Sequence, residues 1–186
     1  IGCEARVTVI DLNLRRLKEL DDQFSSSLNT IYSTVDAIEK HVMNSDLVIG
    51  AVLVPGAAAP RLVTEDMIKG MRRGAVIVDV AIDQGGCIET AKATTHDNPT
   101  YRVHDVVHYC VANMPGAVAR TSTFALNKAT LPFMLALADK GFAQAMRDDP
   151  HLKAGLNVHG GKVTYEAVAN DLNLAHRPAD EVLAAS

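Results

Sequence analysis

The chain has 186 residues, 48% of them hydrophobic, with 18 Lys and Arg against 22 Asp and Glu for a formal net charge of -4. That apolar share is enough for a core of one domain, or of one domain and part of another, and it excludes disorder as the main state. An acidic balance with no basic stripe excludes nucleic acid as the expected partner, because such recognition needs clustered Lys and Arg against phosphates.

Cys3, Cys87 and Cys110 are odd in number and lack metal-ligand spacing, which suits a reducing, cytoplasmic compartment. No stretch reaches the roughly 20 apolar residues of a membrane span, and no signal peptide is expected. Ile1 in place of Met leads to the expectation that the natural chain starts earlier.

In chain order, residues 1–5 read as the tail of a helix and residues 6–11 as a strand ending in Asp11. An acid at the carboxyl end of an early strand in a βαβ unit is placed to accept hydrogen bonds from a ribose, although Asp also ends strands as a turn former. Leu14, Leu17 and Leu20 then form the apolar stripe of a packing helix, with Arg15, Arg16, Lys18 and Glu19 on its wet face. Residues 30–33 read as a short strand that ends at Ser33, and residues 35–41 as a helix capped by Thr34 or Ser33.

Residues 46–52 are expected as the next buried strand, residues 55–60 as a Pro, Gly and Ala loop, and residues 64–71 as a helix capped by Thr64. The run Ala75-Val76-Ile77-Val78-Asp79-Val80-Ala81-Ile82 between Gly74 and Gly85-Gly86 reads as a strand buried on both faces of a parallel sheet. Asp83 and Gln84 then stand beyond its carboxyl end, where open α/β sheets bind their ligands. The competing reading is that Asp79, Asp83 and Gln84 only cap the next turn.

Residues 94–99 are dense in turn formers, and residues 103–112 are expected to supply one or two further strands containing His104 and His108. Neither His has a partner at zinc-like spacing. Thr121 and Ser122 open a long helical pattern that Gly141 ends, with Pro132 expected to kink or restart it. Beyond it come a helix over residues 142–147, a break at Pro150, a turn at Gly160-Gly161, a helix over residues 164–172 and a peripheral tail over residues 176–186. Strand and helix alternate through three units, the pattern of a parallel α/β sheet covered on both faces.

Three segments in this order carry a resemblance: residues 46–56 (Asp-Leu-Val-Ile-Gly-Ala-Val-Leu-Val-Pro-Gly), residues 79–87 (Asp-Val-Ala-Ile-Asp-Gln-Gly-Gly-Cys), and residues 104–115 with Tyr-Cys-Val-Ala-Asn-Met-Pro at their end. They resemble the NAD-dependent alanine dehydrogenases and their relatives, the NAD(P) transhydrogenase α subunits, and the similarity runs almost to the carboxyl end. The Gly-x-Gly-x-x-Gly loop that receives a cofactor pyrophosphate is absent from these residues. So is the family's N-terminal half, which holds its substrate-gripping Lys and Arg and its proton-shuttling His. The resemblance therefore implies the carboxyl-terminal half of an alanine dehydrogenase. Residues 1–115 would be a partial Rossmann-type NAD domain lacking its first strand. Residues 116–186 would be a long helix and a segment returning to the substrate domain.

Carried over by resemblance, Asp11 is the adenosine-ribose acid, Arg16 a flanking basic contact and Ser33 a neighbour of the adenine. Val52 and Leu53 border the ribose and pyrophosphate. Val80, Ala81, Ile82 and Asp83 line the nicotinamide side, and Val111, Ala112, Asn113 and Met114 form the rim over its ring. Lys92 takes a basic place near the cofactor, and Asp83 is the catalytic carboxylate. Where some relatives carry an acid and a His on the long helix, this chain has Ala136 and Lys140, so no metal is expected.

The implied reaction is reversible oxidative deamination of L-alanine to pyruvate and ammonium with NAD, in a homo-oligomer that is commonly a hexamer in the family. The alternatives are a transhydrogenase-like NAD(H) domain, for which Asp83 rather than Glu is a poor match, a non-catalytic NAD-binding module, and a fragment with no function. Sheet order adds one structural expectation. A chain that starts at the second strand of a dinucleotide fold leaves a gap one strand wide between residues 6–11 and residues 46–52.

Overall fold

The computed structural model describes residues 1–55 and 58–184, so Gly56 and Ala57 of the expected 55–60 loop and the last two tail residues lie outside the described residues. The chain divides into two compact units, Ile1–Val52 with Pro60–Ala112 and Leu53–Ala59 with Asn113–Ser186.

The first unit alternates strand and helix as the apolar runs require. Residues 1–4 form a single turn closed by the Glu4 N–H to Ile1 O bond (2.8 Å), where the helix tail was expected. Strand β1 (Val7–Asp11) leads into helix α1 (Leu14–Phe24), whose Asn13 cap accepts from the Arg16 N–H at 3.1 Å and whose Leu17 is the residue of the stripe that is buried. Strand β2 (Leu28–Tyr32) returns parallel to β1, with Val7 opposite Leu28 and Asp11 opposite Tyr32. Helix α2 (Val35–Asn44) takes Thr34 as its cap, and Ala37 N–H donates to Thr34 Oγ1 at 3.1 Å.

Strand β3 (Leu47–Gly50), helix α3 (Glu65–Lys69), strand β4 (Val76–Asp79), strand β5 (Thr100–Val103) and strand β6 (Val106–Tyr109) complete the unit. The sheet order is β3-β4-β6-β5, with β3, β4 and β6 parallel and β5 antiparallel to β6. His104 and Asp105 are therefore a two-residue hairpin turn and not strand residues. Their φ values of 50° and 63° are the positive pair that matches the twist of the flanking strands.

The expected central strand is also shorter than its apolar run. β4 stops at Asp79, and Val80–Gln84 wind into a 3-10 turn. At Asp79 the side chain competes with the ladder: its Oδ1 accepts from the Ala81 N–H at 3.1 Å, and its Oδ2 accepts from the N–H groups of Cys87 and Ile88, which arrive from farther along the chain. Ile77, Ile68, Ile88 and Val106 are fully buried around β4 and form the centre of this unit.

β1 and β3 belong to separate ladders, and a cavity of about 790 Å3 lies between them, lined by Val7 and Thr8 on one side and Leu47, Val48 and Ile49 on the other. Leu47 and Ile49 are 53% and 59% exposed, although a strand of a doubly covered sheet normally hides such residues. The order β2-β1-gap-β3-β4-β6 is that of a dinucleotide sheet with its central position open.

The second unit is helical. A 3-10 turn at Met114–Val118 leads into α4 (Ala119–Lys140), which runs through Pro132 in one helix where a restart was among the expectations. The ring removes one backbone donor, a loss that a 22-residue helix tolerates without ending. Then follow α5 (Phe142–Asp148), α6 (Pro150–Ala154), β7 (Val158–His159), β8 (Lys162–Val163), α7 (Glu166–Asp171) and α8 (Ala179–Ala184). Pro150 starts α6 rather than only breaking α5, because Asp149 Oδ1 caps it by accepting from the His151 and Leu152 N–H groups. The tail is not peripheral. Leu183 packs with Met146 and Leu156 in the core of this unit, and Val182 is buried too, because α8 presents its apolar residues inward.

Open edges on both sides of the β1/β3 cleft present apolar side chains beside main-chain donors and acceptors without ladder partners, a template on which other chains can pair. Residues 1–186 expressed alone are therefore expected to aggregate or stay partly unfolded, as read by thermal melting and light scattering. A cooperative melting transition with micromolar NAD binding by this polypeptide would contradict that expectation.

Candidate functional site

In the first unit, most of the residues singled out from sequence fall at or just beyond the carboxyl ends of its parallel strands, while Arg16 lies within α1 and Lys92 on the segment before β5. Asp11 ends β1 and Ser33 follows β2, and the pairing register puts them side by side, with Ser33 N–H donating to Asp11 O at 3.0 Å. Asp11 Oδ1 accepts from the Asn13 N–H at 2.7 Å, which turns the chain into α1 while the residue remains partly exposed. Arg16 lies on the exposed face of α1 with its guanidinium on Glu19 at 3.2 Å, so its charge is engaged within its own helix.

Beyond β4 the chain forms a loop built on one carboxylate. Asp79 is fully buried. Its Oδ1 accepts from the Ala81 N–H at 3.1 Å, and its Oδ2 accepts from Cys87 N–H at 3.0 Å and Ile88 N–H at 3.2 Å. The Cys87 thiol lies 3.7 Å from Oδ1. Burial first and the Asp79 charge second push that thiol up to about 11, so it is a neutral packing group rather than a nucleophile.

The same knot requires two glycines. A Cβ on Gly86, whose φ is +79°, would stand 2.6 Å from Asp79 Oδ2, and one on Gly50 at the end of β3 would stand 2.5 Å from Cys87 Sγ. Closed in this way, the loop buries Ala81 and Ile82 underneath and leaves Val80 (47% exposed) and Asp83 on its outer side. Gln84 Oε1 is buried with no hydrogen-bond partner among the described residues.

A second polar cluster holds the segment that carries Lys92. Tyr101 of β5 accepts from the Lys92 N–H at 2.7 Å and donates to Thr90 O at 3.0 Å, while its ring stacks on His108 of β6 at 5.0 Å between centroids. His108 is fully buried between Val106 O, 3.1 Å from Nδ1, and Thr90 Oγ1, 2.7 Å from Nε2. A carbonyl only accepts, so the proton belongs on Nδ1, and Nε2 accepts from the Thr90 hydroxyl. Burial lowers the pKa of the imidazole and keeps that neutral form. The Lys92 side chain itself is exposed.

Val111 is buried and Ala112 exposed, both held by Thr94: its N–H donates to Cys110 O at 2.9 Å and its carbonyl accepts from the Ala112 N–H at 3.3 Å. Val52 ends the β3 segment of this unit, half-buried. Leu53, Asn113 and Met114 belong to the second unit, where Leu53 is 69% exposed and Asn113 precedes the 3-10 turn that Met114 begins. Among the described residues no three His, Cys, Asp or Glu side chains gather as metal ligands.

Reading the sequence for sites did not find the contacts of His108 with Thr90 and Tyr101, and it placed Asp79 within the strand or as a turn cap without seeing the Cys87 and Ile88 donors that it gathers. The available signal for Asp79 was an acid inside an apolar run followed by two glycines, since a buried carboxylate needs several donors and a chain able to bend back to supply them.

Residues 1–166 match the family model described as alanine dehydrogenase/PNT, C-terminal domain. The alanine dehydrogenase of Halomonas elongata is 60% identical over 183 residues, which are 98% of this chain and 49% of that protein. A solved L-alanine dehydrogenase superposes with a TM-score of 0.80 at 48% identity, covering 92% of this chain and 47% of the other. A solved transhydrogenase from Sinorhizobium meliloti gives 0.62 at 25% identity, over 88% and 50% of the two chains. The chain spans about half the length of the curated relatives it matches. On this match, and on the parallel α/β sheet that underlies it, the chain belongs to the alanine dehydrogenase/PNT C-terminal domain family.

Proposed function

We propose that the chain is the cofactor-binding, carboxyl-terminal half of an NAD-dependent L-alanine dehydrogenase, with residues 1–115 as its nucleotide domain and residues 116–186 as the segment returning to the substrate domain. The observation that carries the reading is the loop at the end of β4, whose buried underside is locked while Val80 and Asp83 face outward at the ligand-binding edge of a parallel sheet. Support for alanine rather than a second nucleotide as substrate comes from the relatives, of which the alanine dehydrogenase at 60% identity is much nearer than the transhydrogenase at 25%.

The residues present fit an adenine dinucleotide at its adenosine end. Asp11 is a partly exposed strand-end acid with Ser33 beside it, and a ribose diol donates to such a carboxylate. Val80 offers exposed apolar surface of the kind a nicotinamide or ribose covers. Val52, Ala81, Ile82, Lys92, Val111 and Ala112 complete the proposed contacts in this unit, with Arg16 flanking. Bound NAD supplies the hydride acceptor. Asp83 accepts a hydrogen bond from the substrate ammonium or a neighbouring hydroxyl near the reacting carbon and helps manage protons there. The substrates on this reading are L-alanine or pyruvate with ammonium, and the compartment is cytoplasmic.

A homo-oligomer, a hexamer by family resemblance, belongs to the same proposal. α4 buries none of its 22 residues and exposes Phe124, Leu126, Met134 and Leu135, an apolar surface larger than a lone helix keeps in water.

Two outcomes check the site in a full-length protein carrying this chain. Asp83→Asn keeps size and one acceptor but removes the charge, and kcat for alanine oxidation is expected to fall roughly 10- to 1,000-fold. Near-normal turnover would reduce Asp83 to a structural acid. The second outcome concerns cofactor choice, because a 2′-phosphate brought against Asp11 meets like charge. Efficiency with NAD is expected to exceed that with NADP by about 10-fold or more. Equal kcat/KM for the two would remove Asp11 from the ribose site.

A further inference from the structure

We propose that Asp79 is the positioning residue of this site: its buried carboxylate closes the loop from Val80 to Ile88 and thereby sets where Asp83 stands. The inference rests on the dehydrogenase reading above and deepens it. Asp79 does not face the ligand edge; it is fully buried below it. Its two oxygens gather N–H groups from both ends of the loop, Ala81 at the start and Cys87 and Ile88 at the finish. A single side chain thus ties together residues eight and nine positions apart.

The surroundings leave this carboxylate one arrangement. Gly86 allows the backbone to approach Oδ2 where any Cβ would stand at 2.6 Å, and Gly50 admits the Cys87 thiol in the same way. Asn in place of Asp79 would turn one acceptor oxygen into an NH2 donor aimed at backbone N–H groups or at the thiol. At least one donor then loses its partner and the loop must open. Ala81 and Ile82, the buried pair directly before Asp83, move with it. A side chain held this way acts on the chemistry only through Asp83 and Val80, so its effect is coupled to theirs.

The test is a double-mutant cycle in the full-length protein with Asp79→Asn, Asp83→Asn and both, read as kcat and KM for alanine. Thermal melting identifies which proteins are folded. The expected result is a fall in kcat of about 10- to 100-fold for Asp79→Asn, with the double variant no slower than the slower single one by more than about 3-fold, because residues acting as a unit are non-additive. Gly86→Ala, which crowds Asp79 Oδ2 from the other side, is expected to reproduce the loss of kcat and serves as the second probe if Asp79→Asn does not fold. Wild-type kcat in a folded Asp79→Asn or Gly86→Ala variant, or losses that multiply in the double variant, would overturn the proposal while leaving the dehydrogenase reading in place. A folded wild-type protein with no alanine turnover would remove that reading and the proposal together.

Discussion

The constraint on which the first unit depends is the satisfaction of one buried negative charge. An isolated carboxylate in an apolar interior costs far more than a domain can spare, so Asp79 persists only because three backbone N–H groups and a thiol converge on it. Each of those donors comes from the segment that follows β4, which makes the demand of the charge and the path of the chain the same problem. The loop is therefore tied from below at the carboxyl end of β4.

Around that anchor the parallel strands of each sheet bring their carboxyl ends to one edge. Asp11 and Ser33 meet because β1 and β2 are paired in register, and Val111 and Ala112 are held next to β6 by Thr94. The Tyr101 and His108 stack serves the segment bearing Lys92 in the way that Asp79 serves Asp83. Both devices bury fully bonded polar groups directly below residues that stay in water. Such groups specify one loop conformation, because any other leaves them unpaired.

The β1/β3 cleft gives the opposite lesson. Leu47 and Ile49 have the composition of a strand covered on both faces, yet they stand more than half exposed at an open edge. Their side chains and the unused main-chain groups beside them are complementary to one extended, apolar strand. The helical unit has a comparable imbalance along α4, where large apolar side chains face outward while Leu183, Met146 and Leu156 are enough to form a core at the other end.

By itself the sequence determined the alternation of apolar strands and amphipathic helices, a cap at Ser33 or Thr34 and one at Thr64, the strand-end position of Asp11 and the gap in the sheet. These follow from local composition and from the order in which the segments occur. It also carried the family resemblance through the residues of the Asp79 to Cys87 segment. What only the tertiary structure decided was where that apolar run stops being a strand, because the choice between ladder and turn at Asp79 depends on donors from Cys87 and Ile88 that arrive from farther along the chain. The same holds for the His104-Asp105 turn, the buried tail at Leu183 and the helix running on through Pro132. At Asp79 and Leu183 a partner distant in sequence outweighed the local preference, at His104 and Asp105 a backbone φ that composition does not encode did so, and at Pro132 the long helix absorbed the loss of one donor.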